Sequence, residues 1–92
     1  MAAGTVTHDE AAGEYALIVD GHRAFAAYRL ENGVATFFHT LVPDALAGRG
    51  IGLTLIAGAL ADVRARGWRV NPVCPFVRRY FDKHPELADL LA

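Results

Sequence analysis

The sequence predicts an α/β chain of the α+β kind: a mixed sheet made of an antiparallel meander, then a β-α-β crossover, then a C-terminal helix. Three observations predict it. Two hairpin dipeptides, Asp20-Gly21 and Asn32-Gly33, separate three β-prone runs in the first half of the chain. An apolar stripe at helical spacing follows them, through Ile51, Leu55, Ile56, Ala59, Leu60 and Val63. Behind that stripe, a short run from Trp68 to Val73 reads as a strand, and a proline-led segment reads as a second helix.

Residues 1–13 are small and polar, and predict a loose end or a short edge strand around Val6. Glu14–Val19 is compact and rich in β-formers and runs into Asp20-Gly21, which gives the first hairpin. Arg23–Leu30 is its partner, with Phe25 and Tyr28 on opposite faces by simple alternation. After Asn32-Gly33 comes Val34–Val42, stopped by Pro43; alternation puts Ala35, Phe37, His39 and Leu41 on one face. The helix that follows ends in a basic last turn, Arg64 and Arg66, and a glycine stop at Gly67. Its crossover makes the strands Val34–Val42 and Trp68–Val73 parallel, with a right-handed connection. Pro75 stands as the first residue of the second helix, which runs to Lys83; His84-Pro85 breaks it, and Glu86–Leu91 forms a closing turn. Phe25, Phe37, Phe38 and Trp68 are expected in the core, and His8, His22 and His84 in exposed turns.

Ninety-two residues without repeat or linker, 53% of them hydrophobic, predict a single domain spanning residues 1–92 with a core that closes unaided. Nine basic side chains against ten acidic ones leave a formal net charge of −1, which argues against nucleic acid or a membrane surface as partner. One cysteine, Cys74, excludes an internal disulfide, and with scattered histidines there is no zinc set, so no metal is expected. With no basic, apolar leader at the start of the sequence, the expected localisation is cytoplasmic.

The stretch ALAGRGIG, Ala45 to Gly52, concentrates three glycines just before the long helix, where each costs roughly 0.5–1 kcal/mol relative to alanine inside a regular element. A strand that turns through glycines into a helix aims unpaired amides and the positive end of the helix dipole at one point, which suits a phosphate. The first helical turn holds no Asp or Glu, and Arg49 adds a positive charge suited to phosphate oxygens. A dinucleotide fingerprint would need glycine where Leu55 stands, and a P-loop would need a Gly-Lys-Ser/Thr that is absent.

What remains resembles the acetyl-CoA motif of the GNAT superfamily of N-acetyltransferases, Q/R-x-x-G-x-G/A, which Gly50-Ile51-Gly52 matches at its glycines. The longer string is similar to the small single-domain branch of that superfamily: His39-Thr40-Leu41-Val42-Pro43, Gly48-x-Gly50-Ile51-Gly52, Asn71-Pro72-Val73-Cys74-Pro75-Phe76-Val77 with Tyr80, and His84-Pro85-Glu86. It covers the chain from about Glu14 to the end. The resemblance implies a GNAT-like sheet whose two parallel strands splay apart, with the pantetheine arm of acetyl-CoA between them against Leu41 and Val42. It implies the pyrophosphate on Gly48, Arg49, Gly50, Ile51 and Gly52, and the thioester near Cys74.

Two departures stand out. The leading Gln/Arg position holds Ala47, and the tyrosine that serves larger relatives as general acid is replaced by Phe81. The implied function is transfer of acetyl from acetyl-CoA to an amine acceptor, with Cys74, His39 and Tyr80 as candidate catalytic residues. Either His39 takes the amine proton through water, or Cys74 acts as acid or transient acyl carrier, and Tyr80 stands as a substitute proton donor. The competing reading is a CoA-binding or protein-interaction module with little turnover, motivated by Phe81 and the small size.

Overall fold

The computed structural model describes residues 5–92; the expectation for residues 1–4 lies outside them. Strand β1, Thr7–Asp9, is the short edge strand, paired antiparallel with β2, Glu14–Val19. β3, His22–Glu31, and β4, Val34–Leu41, complete the meander. The first residue of each tight turn is left-handed, Asp20 at φ 51° and Asn32 at φ 52°, as mirror-type hairpin turns require. Helix α1, Ile51–Ala65, crosses back so that β5, Arg69–Pro72, lies parallel to β4. Helix α2, Pro75–Lys83, and a 3-10 helix, Pro85–Leu90, close the chain. The sheet order is β1-β2-β3-β4-β5, which is the mixed sheet expected.

The core lies on one side of this sheet. Tyr15, Leu17, Ala24, Ala26, Ala35 and Phe37 meet the α1 stripe of Leu55, Ile56, Ala59, Leu60 and Val63, all of them buried. Fully burying one such large apolar side chain contributes about 1.5–3 kcal/mol, so this single layer of contacts sets the fold. The other face of the sheet carries no helix, and Ile18, Phe38 and Leu41 stand exposed there.

Two expectations fail. Phe38 is 44% exposed on that outer face, where Arg29 lies over its ring, and Phe25 is only half-buried; neither belongs to the core beside Phe37. His8 is not an exposed turn residue. Its ring, 10% exposed, stacks on Tyr15 at 4.1 Å, shares a hydrogen bond with the Tyr28 hydroxyl, and faces Asp62. Asp62 in turn accepts from the Tyr15 hydroxyl and from Arg66 Nε, each at 2.7 Å. This polar cluster ties β1 to the sheet and to the C-terminal end of α1.

One irregularity decides the geometry of the site. Across β3 and β4, Ala27 pairs with His39 but Tyr28 pairs with Phe37, so Phe38 is an extra residue in β4. A bulge of this kind places two consecutive side chains on one face and reverses the alternation beyond it. Ala35 and Phe37 face α1; Phe38 and His39 both face outward; Thr40 returns to the inner side opposite the buried Ala26. His39 and Leu41 are therefore not on the face of Ala35 and Phe37, contrary to simple alternation.

Candidate active site

Pro43 ends β4, and a 3-10 turn, Asp44–Leu46, sends the chain towards α1, with Leu46 buried as its anchor. Gly48 and Gly50 then take left-handed φ values of 75° and 71°, where a side chain would be strained. Gly50 caps α1 with no side-chain bond, and no acidic residue occupies the first turn. The Thr54 amide donates to the Gly50 carbonyl at 3.1 Å, so the amides of Ile51, Gly52 and Leu53, which precede it, point out of the helix end. They open on a cleft of about 300 Å³ walled by Val42, Ala47, Gly48, Gly50, Gly52 and Phe76. An amide cluster at a helix N-terminus with no competing carboxylate is suited to an anion.

The expected cradle residues take distinct places around that cleft. Ile51 gives it only backbone, because its side chain is buried in the core. Gly52 is a close-approach glycine: a Cβ there would stand 2.6 Å from Phe76 Cζ and 3.2 Å from Val42 Cγ2. Val42 lines the cleft, whereas Leu41 is exposed on the outer face. Arg49 is turned away from the cleft and pairs with Asp20 of the first hairpin, Nη1 to Oδ2 at 2.9 Å. Both partners are exposed, so that bond is weak and exchangeable, worth about 0–1 kcal/mol.

The parallel strands part just beyond the cleft. Their register runs from Val34 opposite Arg69 to Phe37 opposite Pro72 and stops. The last link is the Cys74 amide donating to the Phe37 carbonyl at 2.8 Å. β4 continues to Leu41 with the edge that faced β5 left open, which is the splay implied by the resemblance. Cys74 sits at its mouth as the residue before α2.

Cys74 is buried, and its Sγ lies 3.4 Å from the Thr40 hydroxyl. Burial pushes the thiol up. The Thr40 hydroxyl and the amides of Val77 and Phe76 at the start of α2 favour the thiolate and outweigh it, leaving the group below the ordinary thiol range. The bulge is what brings Thr40 there, and sequence alternation missed it because no Gly or Pro marks the extra residue. Phe76 was missed as a cleft wall for a simpler reason, having been read only as the start of a helix.

His39 lies on the opposite face of β4 from Thr40, exposed, with its ring edge-on to Phe25 at 5.7 Å. It borders the splay from the outer side. Tyr80 is not brought to Cys74. It lies in the groove between α1 and α2, stacked on His84 at 4.1 Å, and its hydroxyl is pushed up by burial and by Glu86. Phe81 is buried in the core. Among the described residues no group of His, Cys, Asp or Glu is placed to hold a metal ion, and no helix is long and apolar enough to cross a membrane.

This arrangement, an amide cradle leading into a gap between splayed parallel strands with a thiol at its end, invites comparison with known proteins. A GCN5-like protein from Staphylococcus aureus, solved in solution by NMR, superposes with a TM-score of 0.74 at 22% identity, covering 100% of this chain and 91% of that one. It shares the fold. No curated protein matches the chain. The model of the GCN5-related N-acetyl-transferase family matches residues 14–90, from the first residue of β2 to the last turn before the C-terminus. With the match extending over both the cradle and the splay, the chain belongs to the GCN5-related N-acetyl-transferase family.

Proposed function

We propose that this protein transfers the acetyl group of acetyl-CoA to an amine, and that Cys74 carries the acetyl between them. The observation that carries this reading is the line from the α1 cradle through the strand gap to a thiol held towards its thiolate form. The pyrophosphate of the donor meets the amides of Ile51 to Leu53, and the pantetheine arm lies along the open edge of β4 past Val42. Arg49 is free to exchange Asp20 for phosphate oxygens. The cleft, small and largely apolar apart from its amides, fits this group and needs no metal.

In the first step the Cys74 thiolate attacks the thioester carbonyl. A new C–S bond forms at Cys74, the old one breaks, and CoA leaves as its thiolate; one thioester replaces another. The Thr40 hydroxyl stays within reach of the sulfur throughout. In the second step an amine reaching the gap from the outer face attacks the carbonyl of acetyl-Cys74: the C–N bond of the amide forms, the C–S bond breaks and sulfur leaves as the Cys74 thiolate, and the amine's proton passes through water to His39. Supply from opposite faces of one strand follows from the bulge. Tyr80, placed in another groove, takes no part in these steps.

The test is mass spectrometry of the protein incubated with acetyl-CoA. A mass gain of one acetyl group on Cys74, discharged by added amines and absent in Cys74→Ala, is the expected result. Transfer to amines at the wild-type rate by Cys74→Ala would exclude the thiol as carrier and leave direct attack assisted by His39. CoA binding without any transfer across an amine panel would favour the binding-module reading, which the buried Phe81 at the usual acid position motivates.

A further inference from the structure

The outer end of the strand gap is where the second step takes its amine, and its rim has a chemistry of its own. On the β4 side stand Phe38, His39 and Leu41; on the β5 side stands Val73, the residue before Cys74. Phe38, Leu41 and Val73 make up half of the six large apolar side chains exposed among the described residues. Phe25 of β3 lies beside them, half-buried and edge-on to the His39 ring. Apolar surface gathered beside a reactive group marks a place that an apolar ligand covers.

The rim holds no carboxylate. Residues 34–43 and 63–81, which supply both strands of the gap, contain no Asp or Glu. Asp44 opens the 3-10 turn that leads to α1, and Asp82 lies in the last turn of α2. From β3, Arg29 extends over the Phe38 ring, with Cζ 5.3 Å from its centroid, and it makes no ion pair among the described residues. The row of paired residues that runs from His39 through Ala27 reaches its first carboxylate at Glu14, two strands away. At about 4.8 Å per strand that is about 9.6 Å, and Arg23 already holds Glu14 at 2.7 Å.

We infer that the acceptor is a monoamine with an apolar body, of the arylalkyl or alkyl class, and that polyamines and lysine-rich peptides are poor acceptors. This rests on the transfer reading above. The body of the amine covers Phe38, Leu41 and Val73 while its nitrogen passes His39 to reach acetyl-Cys74. A polyamine brings further ammonium groups to a rim that offers a cation and no counter-charge, so it meets repulsion without a compensating partner. A monoamine brings one charge and must shed that proton to water before it attacks. Apolar surroundings and a neighbouring guanidinium both disfavour the ammonium form. The groups that reject a polycation therefore also favour the neutral nucleophile. On attack the C–N bond forms, the C–S bond to Cys74 breaks, and the second proton of the nitrogen passes through water to His39.

Steady-state acetyl transfer to 2-phenylethylamine and to spermidine tests it, in wild type, Arg29→Glu and Val73→Glu. Both positions are exposed, and circular dichroism verifies folding. Wild type should favour 2-phenylethylamine by tenfold or more in kcat/KM at low salt, with the ratio shrinking as salt screens the repulsion. Each variant places a carboxylate at the rim and should lower that ratio fivefold or more. A loss common to both acceptors cancels in the ratio, so damage to the donor step does not mimic the effect. Spermidine accepted as well as 2-phenylethylamine, or better, overturns the inference and leaves acetyl transfer standing. A ratio unmoved in both folded variants overturns it too, since the rim would then not make the choice. Acetyl-Cys74 that forms and is discharged by spermidine alone, or by neither amine, overturns the acceptor class. Absence of both acetyl-Cys74 and amide product sinks the transfer reading itself.

Discussion

Gly52→Ala is the sharpest probe of the cleft, because the change is one methyl group at a known distance from a ring carbon of Phe76 and a methyl of Val42. In helix α1 the substitution gains about 0.5–1 kcal/mol by removing the conformational freedom of glycine. Against that gain, the added Cβ stands 2.6 Å from Phe76 Cζ, so the ring must retreat by about 0.8 Å to reach the 3.4 Å at which ordinary contact begins. Overpacking of a rigid core costs about 1–3 kcal/mol. Phe76 is only half-buried and meets the methyl with the far end of its ring, so the low end of that range applies.

The net loss of stability is then at most about 1 kcal/mol, or roughly 4–8 °C in Tm for a domain of this size. The consequence for binding is larger. A displaced Phe76 moves into the hollow it walls, and CoA affinity should fall by tenfold or more, about 1.4 kcal/mol. Phe76→Leu in the same chain shortens the clashing side chain and should recover most of that affinity. Calorimetry and thermal melts of the wild type and these two variants decide the matter. Unchanged CoA affinity in Gly52→Ala would refute the view that this glycine keeps room for the ligand. A large stability loss without recovery in the double variant would show that Phe76 does not yield.

Two further predictions follow from the titrating groups. Thr40→Val keeps the shape of the side chain and removes the hydroxyl that favours the Cys74 thiolate, so iodoacetamide labelling should begin at higher pH than in wild type; an unmoved profile would show that the α2 amides alone set the thiol. Tyr15 is pushed above the ordinary tyrosine value of 10 by burial and by its bond to Asp62, so its stabilising contribution is complete below pH 10 and declines above it, as the unfolded chain ionises first. Urea denaturation at pH 8 and pH 11 should therefore show a steeper alkaline loss in wild type than in Tyr15→Phe, and equal losses would count against that assignment.

The parts legible in the sequence are those set by local chemistry. Asp20-Gly21 and Asn32-Gly33 fix both hairpins because few residues tolerate left-handed φ, and the glycine-rich turn before Leu53 announces itself through what it lacks, carboxylates and Cβ atoms. Pro75 marks the start of α2 correctly. What escaped was decided by neighbours. The extra residue in β4 is created by pairing with β3, and Phe38-His39 has no local feature that separates it from regular strand. His8 looked like a polar turn residue because its partners, Tyr15, Tyr28 and Asp62, are spread over three elements. Tyr80, named from the sequence as a substitute for the acid missing at Phe81, lies in the groove beside α1 and stacks on His84, a place that only the packing of α2 determines.

The bulge in β4 has a consequence for how this small protein can vary. From Val34 to Phe37 the strand serves the core; from His39 to Leu41 it is a partition one strand thick, with an imidazole on one surface and a hydroxyl on the next residue facing the other. A substitution at position 39 alters only the outer compartment, and one at position 40 only the inner, so the two surfaces are free to diversify separately. Their separation is not free to change. It is fixed by the backbone they share, and any shift of β4 against β5 moves both together.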